Sequence, residues 1–368
     1  MILNVPAMAG TLESSDVQIA IAPNPGRGIE ISLESDVKAQ FGDSICATVR
    51  DVLAEFDISE ASVQLLDKGG CQMKNGLKRT SLYASGSSAG KVLEARFYNQ
   101  DCIVYDLEDS VSPAEKDAAR FLVYHTVRYH RPPDKYVLIR VNGLYSEYLE
   151  EDLQAAVRAR PDAIRLPKVE HAEEVRRIDA KITEIEKTAG IEPGSIELWC
   201  NIESVLGAVN AREIATASPR VVALALGAED YTASMGSLRS KAGHEIFYAR
   251  MQVLQACRLA GISAQDAVFS DFNDPEGLQE DLKMTRGLGF DGKTVIHPRQ
   301  IDLVNAAFTP TRKEIRYAQK VLSALEEGEK NHTGVVVVDG SMVDKPMEIR
   351  ARTVLAQAEA AGILKGGL

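Results

Sequence analysis

No run of 18 apolar residues, no charged-then-apolar leader and no dense tract of lysine and arginine occurs in this 368-residue chain. The first two absences argue against a membrane-spanning helix and a secretory signal peptide. The third, with 42 basic against 53 acidic residues and a net charge of −11, removes the electrostatic footprint of a nucleic-acid binder. Cysteine is sparse and unpatterned: Cys46, Cys71, Cys102, Cys200 and Cys257 include no C-x-x-C pair. The six histidines are scattered and form no His-Glu-x-x-His motif, which argues against a zinc hydrolase. These absences lead us to expect a cytoplasmic, reduced protein with a small-molecule site, no nucleic-acid or membrane partner, and cysteines serving as small core or surface residues.

What is present has a period. From residue 79 onward, short β-branched or aromatic runs recur between longer amphipathic stretches, at 79–85, 102–108, 135–142, 163–169, 196–204, 221–230, 266–271 and 294–298. Eight such units predict an α/β fold, a (β/α)8 TIM barrel. Val221-Val222-Ala223-Leu224-Ala225-Leu226 is apolar throughout, as a parallel strand buried on both faces would be. A doubly wound open sheet carries the same pattern and stays open as an alternative. The length exceeds the roughly 250 residues of a barrel, so a second module is expected.

Polar residues gather at the downstream ends of these runs: Asp106 and Glu108, Arg140 and Asn142, Lys168, Glu203, Glu229 and Asp230, Asp271, and His297. A barrel would collect them around one mouth. Glu203 and Asp230 each follow an apolar strand, and as hard oxygen ligands they suit Mg²⁺ while leaving positions open for a keto acid. A pair of solvated loop acids is the competing reading. Ser85-Gly86-Ser87-Ser88-Ala89-Gly90-Lys91 imitates a nucleotide P-loop, but only three residues separate its glycines and Val92 follows the lysine. It reads equally as an ordinary turn or as backbone N–H groups offered to a cofactor phosphate.

The strand ends, in order, are Val104-Tyr105-Asp106-Leu107-Glu108-Asp109-Ser110-Val111, Ile139-Arg140-Val141-Asn142, Arg165-Leu166-Pro167-Lys168, Asn201-Ile202-Glu203-Ser204, Leu226-Gly227-Ala228-Glu229-Asp230-Tyr231, and Phe290-Asp291-Gly292-Lys293 with Ile296-His297-Pro298. Over about residues 78–365 this series resembles the beta subunits of citrate lyase, within the family of citryl-, malyl- and citramalyl-thioester lyases. The resemblance implies a carbon–carbon lyase in which Glu203 and Asp230 ligate Mg²⁺, Glu203 also lies at the substrate, and Arg140 holds an oxaloacetate carboxylate. Asp106 and Glu108 correspond to an acidic pair near the metal and its waters. An internal ion pair with one of those acids is the alternative reading of Arg140. Cleaving a citryl thioester requires loss of the hydroxyl proton, breakage of the adjacent C–C bond and protonation of the acetyl-thioester enolate. Two carboxylates on Mg²⁺ and a planar guanidinium fork suit the oxo-acid half.

In Val338-Asp339-Gly340-Ser341-Met342-Val343-Asp344-Lys345-Pro346 the resemblance makes Asp344 the proton donor, delivered from an adjacent protomer, and so implies a trimer-based homo-oligomer. The bland alternative is a turn acid before Pro346. One departure from the family pattern is Ser85, which stands where a proline is usual.

Near the start, Ala9-Gly10-Thr11-Leu12-Glu13-Ser14-Ser15-Asp16-Val17, Gly28-Ile29-Glu30-Ile31-Ser32-Leu33-Glu34-Ser35, Gln40-Phe41-Gly42 and Asp67-Lys68-Gly69 are similar to the acyl carrier (gamma) subunits of citrate lyase. Two alternating runs, a helix from about Asp36 to Phe56 and a third run at Ala61–Leu66 predict a small α+β domain. With 11 acidic and 5 basic residues, a net of −6, this segment carries over half of the excess charge, a field suited to docking on basic partner faces. The resemblance implies a phosphoribosyl dephospho-coenzyme A arm on Ser14; a plain cap or loop hydroxyl is the alternative. Carrier subunits usually continue past Asp-Lys-Gly, whereas here the barrel pattern begins at once.

The expected organisation is a carrier domain over 1–75, a barrel over 76–330 and a C-terminal lid or oligomer-contact segment over 331–368. The leading reading is a citryl thioester lyase fused to its carrier, served by a separate citrate lyase alpha (transferase) subunit. A malyl- or citramalyl-coenzyme A type lyase acting on free thioesters, and a non-catalytic carrier scaffold, are the alternatives.

Overall fold

The computed structural model describes residues 7–9, 17–35, 38–67, 77–330 and 336–364. Contacts divide the chain into two units, Met1–Lys74 and Asn75–Leu368. Ser14 and its motif lie outside the described residues.

The first unit is a four-stranded sheet with one helix. Strands β1 (Ala7–Ala9), β2 (Val17–Pro23) and β3 (Ile29–Ser35) precede helix α1 (Lys38–Glu55) and strand β4 (Ala61–Asp67). The sheet order is β1-β2-β4-β3, with β4 antiparallel to β2 and parallel to β3, so α1 is the crossover a parallel pair requires. Alternate residues of β4, Ala61, Val63 and Leu65, are buried and join Leu33 and Leu53 in one apolar cluster. This is the small α+β domain the alternation predicts.

The second unit is a closed barrel of eight parallel strands, which settles the choice against an open sheet. The strands are β5 (Thr80–Ser85), β6 (Cys102–Asp106), β7 (Tyr136–Arg140), β8 (Ala163–Leu166), β9 (Glu197–Ile202), β10 (Val221–Leu226), β11 (Ser263–Asp266) and β12 (Gly292–Val295). Each pairs with the next, and β12 returns to β5. The last two begin earlier than the sequence pattern suggests, 263 against 266 and 292 against 294. The apolar run Ala267-Val268-Phe269 follows β11, whose own residues Gln265 and Asp266 are polar yet fully buried. Lys293 in β12 is likewise buried. Polar strands of this kind defeat a search for apolar runs.

Helices alternate with the strands. The described elements include α2 (Ala89–Glu94), α3 (Lys116–His130), α4 (Leu149–Ala159), α5 (Ala172–Thr188), α6 (Val205–Val209), α7 (Ala211–Ala215), α8 (Ala228–Met235), α9 (Phe247–Ala260), α10 (Pro275–Leu288) and α11 (Ile301–Phe308). Local chemistry fixes their ends: Asp274 caps α10 by accepting from the Gly277 N–H at 3.0 Å, and Pro275 occupies its first turn.

The strand pleat sorts residues into two apolar layers. Cys102, Val104, Leu138, Ala163, Trp199 and Ala223 cluster inside the barrel, whereas Ile103, Tyr105, Val137, Ile139, Ile164 and Cys200 pack with the helices outside. Period-two alternation therefore carries Asp106, Arg140, Arg165, Asn201 and Glu203 on the inward face. The buried thiols of Cys102 and Cys200 are pushed up to about 12 by burial, as inert core residues.

At the C-terminus, α12 (Arg312–Lys330), the hairpin β13 (Val336–Val338) and β14 (Ser341–Val343), and α13 (Lys345–Ala360) share a separate apolar cluster that includes Ile315, Val321, Val343 and Leu355. In packing terms α12 and the elements after it form one cluster. No helix among the described residues is long and apolar enough to cross a membrane.

Beneath the helix layer, Asp266 binds Arg250 at 2.9 Å and Lys293 at 2.6 Å, and Asp281 binds Arg250 at 2.7 Å and Lys293 at 2.6 Å. All four are buried, so removing one acid strands the excess cation in a low dielectric. We expect Asp266→Ala to destabilise the barrel by about 3–5 kcal/mol. Urea unfolding followed by the fluorescence of Trp199, the one tryptophan of the chain, reads the barrel interior directly. A loss below about 1 kcal/mol would show that the network adds nothing to stability.

Candidate active site

The inward face of the strands ends in charge. Asp106 closes β6 and Arg140 closes β7 as its paired neighbour, while Arg165 lies beside Arg140 on β8. Glu108 follows two residues after Asp106, Lys168 follows two residues after β8, and Glu203 comes directly after β9. Gly86 lets the first strand end approach the second: its N–H donates to the Asp106 carbonyl at 2.8 Å, and a Cβ there would lie 2.6 Å from that oxygen.

Arg140 is the hub. Its Nε and Nη2 donate to Asp106 Oδ1 and Oδ2 at 2.6 and 2.8 Å, and Nη1 lies 2.7 Å from Glu108 Oε2. The Tyr83 ring stands 4.6 Å from its guanidinium carbon. Asp106 also accepts from the backbone N–H groups of Glu108 at 3.0 Å and Ser110 at 3.3 Å. Burial opposes its ionisation, but the Arg140 bonds outweigh burial and hold the carboxyl below its usual range. For Glu108 the balance falls the other way: burial raises its pKa despite Arg140 and the Lys168 ammonium 2.7 Å away. Lys168 reaches Glu108 from a left-handed backbone with φ of 52°, a strained conformation for a non-glycine residue.

Arg140 is thus ion-paired with both acids, the internal pairing that its alternative reading anticipates, though twofold. The fork is not exhausted. A guanidinium has five N–H groups; two of them donate to Asp106, and the contact with Glu108 Oε2 is an ion pair without a directed hydrogen bond.

Glu203 has no such cation. It is 4% exposed, its Oε1 accepts from Asn201 Nδ2 at 2.7 Å, and its Oε2 is buried without a hydrogen-bond partner. Burial first, and then the negative charge of Glu108, push its pKa up to about 7; Asp230 adds to the same effect. Gly227 makes room for it: a Cβ at that position would lie 2.5 Å from Glu203 Cγ and 3.0 Å from Oε1. Asp230, exposed in the first turn of α8, makes no hydrogen bond or ion pair among the described residues. Asp106 and Glu108 are thus committed to cations, whereas Glu203 Oε2 and Asp230 have no hydrogen-bond or ion-pair partner among the described residues. No group of three or more His, Cys, Asp or Glu side chains converges as a metal cage among the described residues. A two-carboxylate set agrees with a hard cation that keeps water and substrate as its other ligands.

Other strand-end residues turn elsewhere. Asn142 is spent on Lys116, at 2.7 Å, and on Asp152, at 2.6 Å. Glu229 accepts from Ser270 Oγ at 2.7 Å, Asp271 is exposed, and His297 stacks on Phe272 with ring centroids 4.7 Å apart. Asp344 is exposed and caps α13, accepting from the Met347 N–H at 3.4 Å. In the Gly-Ser loop, Ser88 caps the six-residue α2. Sequence reasoning passed over Tyr83, Arg165, Asn201 and Lys116 as functional residues. A signal existed for Arg165 and Asn201, since a charged or amide side chain inside an otherwise apolar parallel strand needs a reason. Lys116, which donates to the carbonyls of Leu107 and Glu108 at 2.7 and 2.8 Å, gave none.

Fold and site together define a carbon–carbon lyase built on a (β/α)8 barrel. Residues 79–298 match the family described as HpcH/HpaI aldolase/citrate lyase, and residues 4–73 match the acyl-carrier family described as Malonate decarboxylase delta subunit. The citrate lyase subunit beta of Leuconostoc mesenteroides subsp. cremoris is 44% identical over 284 residues, covering 77% of this chain and 94% of that protein. A (3S)-malyl-CoA thioesterase of Cereibacter sphaeroides is 37% identical over 283 residues, covering 77% and 95%. The crystal structure of the CitE protein of Mycobacterium tuberculosis with magnesium, acetoacetate and coenzyme A is 29% identical, with a TM-score of 0.62 over 77% of this chain and 98% of that one. The chain belongs to the HpcH/HpaI aldolase/citrate lyase family.

The raised pKa of Glu203 has a consequence for the metal-free protein. A folded pKa of about 7 against 4.5 unfolded means that the native state retains a proton the unfolded state has lost. Its contribution to stability is therefore full below pH 4.5 and is lost as pH rises through 7. Glutamine does not titrate. In chelator, the melting temperature of Glu203→Gln relative to the parent should climb between pH 4.5 and 7, by a few degrees. A difference that stays flat across this window would place the Glu203 pKa in the ordinary range.

Proposed function

We propose that this chain cleaves a citryl thioester to oxaloacetate and an acetyl thioester in the cytoplasm, using Mg²⁺ held by Glu203 and Asp230. The observation that carries the reading is the buried Glu203 Oε2, a carboxyl oxygen with no protein hydrogen-bond partner, close enough to the Arg140 guanidinium to feel its charge. A bound Mg²⁺ supplies Lewis acidity toward the oxo-acid oxygens. Arg140 grips the carboxylate of the oxaloacetate half through its remaining N–H groups, and Asp106 and Glu108 fix the plane of the fork. Lys168 offsets the charge of Glu108, so that the acidic pair does not repel an anionic substrate. Magnesium in the homologous crystal structure and a citrate lyase subunit among the relatives support the choice of metal and substrate.

Asp344 is the donor in this reading, protonating the acetyl-thioester enolate in the active site of a neighbouring copy within a trimer-based homo-oligomer. Its exposure supports such a role, as do the exposed apolar side chains of Val337, Met342 and Ile349 on the same segment. The amino-terminal unit holds the thioester on a phosphoribosyl dephospho-coenzyme A arm at Ser14, and a citrate lyase alpha subunit exchanges acetyl for citryl on that arm. The carrier-family match over 4–73 supports this part. The malyl-CoA thioesterase relatives and the coenzyme A in the homologous structure favour a second reading, a lyase for free coenzyme A thioesters. Only the first requires a covalent arm. Intact mass of the chain from its host, with Ser14→Ala as control, separates them: an unmodified chain that cleaves malyl-coenzyme A and not citryl-coenzyme A favours the second.

Asp230→Asn should leave folding intact, since it creates no cavity, and should lower Mg²⁺-dependent citryl-coenzyme A cleavage by at least about 100-fold. Equal rates across a Mg²⁺ titration would remove Asp230 from the site. Asp344→Asn should lower kcat by roughly 10² to 10⁴ with little change in KM. Mixing it with Asp230→Asn under conditions that exchange protomers should restore partial activity. No recovery after verified exchange would mean that Asp344 acts within its own chain or is only a structural turn acid.

A further inference from the structure

Arg165 is the anomaly of the barrel interior. It is 2% exposed, and its hydrogen-bond partners are neutral: Nε donates to Asn201 Oδ1 at 2.7 Å and Nη2 to Thr294 Oγ1 at 3.2 Å. Nη1 is buried without a hydrogen-bond partner. The Tyr83 and Trp199 rings lie 5.0 and 5.8 Å from the guanidinium carbon. A buried cation held by an amide, a hydroxyl and two rings is costly as a stability device. Asp266 on β11 and Asp281 on α10 pair with the other buried cations of this barrel, Arg250 and Lys293, whereas no acid forms an ion pair with Arg165 among the described residues.

Its position relative to Asn201 suggests what it does. A guanidinium donates and never accepts, so the Asn201 amide must turn its oxygen to Arg165. That leaves only the amide NH₂ to face Glu203, where it donates to Oε1 at 2.7 Å. Flipped, the amide would set its oxygen against a carboxylate oxygen and its NH₂ against a guanidinium. One oxygen of Glu203 is thereby tied back and the other, Oε2, is left free. The chain Arg165, Asn201, Glu203 thus orients the carboxylate from below.

We propose that Arg165 is a positioning residue that presents Glu203 to the divalent cation by locking the Asn201 amide. The proposal rests on the reading of Glu203 as a metal ligand. Outer partners of metal ligands change affinity by about 10- to 100-fold when removed, because the ligand must then be ordered at the moment of binding. Arg165→Lys keeps the charge and loses the planar contact; Asn201→Ala removes the link while leaving Arg165 in place. If the two act in series, removing both costs no more than removing the link alone.

The test is Mn²⁺ affinity of the full chain, read from the electron paramagnetic resonance of free Mn²⁺, with Trp199 fluorescence as the check on folding. Parent, Arg165→Lys, Asn201→Ala, the double variant and Glu203→Gln are compared. The expected result is a roughly tenfold weaker Kd for each of the first two variants, no further loss in the double variant, and a larger loss in Glu203→Gln. Parental affinity in Asn201→Ala, or losses that multiply in the double variant, overturns the relay. Should Arg165→Lys fail to fold, Asn201→Ala alone decides between these outcomes. If Glu203→Gln itself binds Mn²⁺ like the parent, the metal reading fails and the relay with it, whereas loss in Glu203→Gln beside an unaffected Asn201→Ala overturns the relay alone.

Discussion

The contact of Arg140 with Asp106 and Glu108 is the constraint on which the mouth of the barrel depends. Three acids, Asp106, Glu108 and Glu203, are almost wholly withdrawn from water at neighbouring strand ends. In a low dielectric their mutual repulsion would drive at least one to take up a proton. Arg140 resolves this unevenly. It lies against two of the acids and leaves the third with an amide. Asp106 consequently stays ionised, Glu108 sits between its cations and its burial, and Glu203 is poised near neutrality. The uneven division separates residues that hold the arginine from a residue free to hold something else.

Several local features are unfavourable in isolation and make sense only around that arrangement. Lys168 occupies a left-handed backbone conformation, Gly227 gives up a side chain, and Glu203 and Arg165 are buried without full pairing. Each costs on the order of 1–3 kcal/mol in ordinary circumstances. They concentrate at the downstream ends of β8, β9 and β10, while the upstream halves of the same strands carry well-packed aliphatic residues. The barrel can bear this cost because two apolar layers fix β6 to β10 on both faces. Its stability and its chemistry occupy different levels of the same strands.

Much of this was legible in the sequence, for a physical reason. A parallel strand buried on both faces must be apolar along its length, so the residue at which polarity returns marks the strand end; Asp106, Arg140, Lys168 and Glu203 were found this way. The rule breaks where the buried layer is itself charged. Asp266 and Lys293 satisfy one another with Arg250 and Asp281, contacts made across long separations that no local pattern reveals, and so β11 and β12 were placed too late. Arg165 and Asn201 escaped for a related reason. They lie before the strand ends, and their importance depends on which face of the pleat they share with Glu203. The double engagement of Arg140 was likewise only half legible, because sequence spacing shows that an acid is near but not how many N–H groups it takes.

In the proposed reading one side chain, Asp344, meets two demands. As the cap of α13 it accepts from the Met347 N–H at 3.4 Å, a long bond at an exposed helix end. A cap of this length stabilises little, and Pro346 in the first turn already spares the helix one unsatisfied donor. The carboxyl can therefore leave its cap at small cost when a better partner is offered. Seated on its own helix, Asp344 is an exposed cap; in the proposed reading the same carboxyl reaches the enolate held in a neighbouring copy.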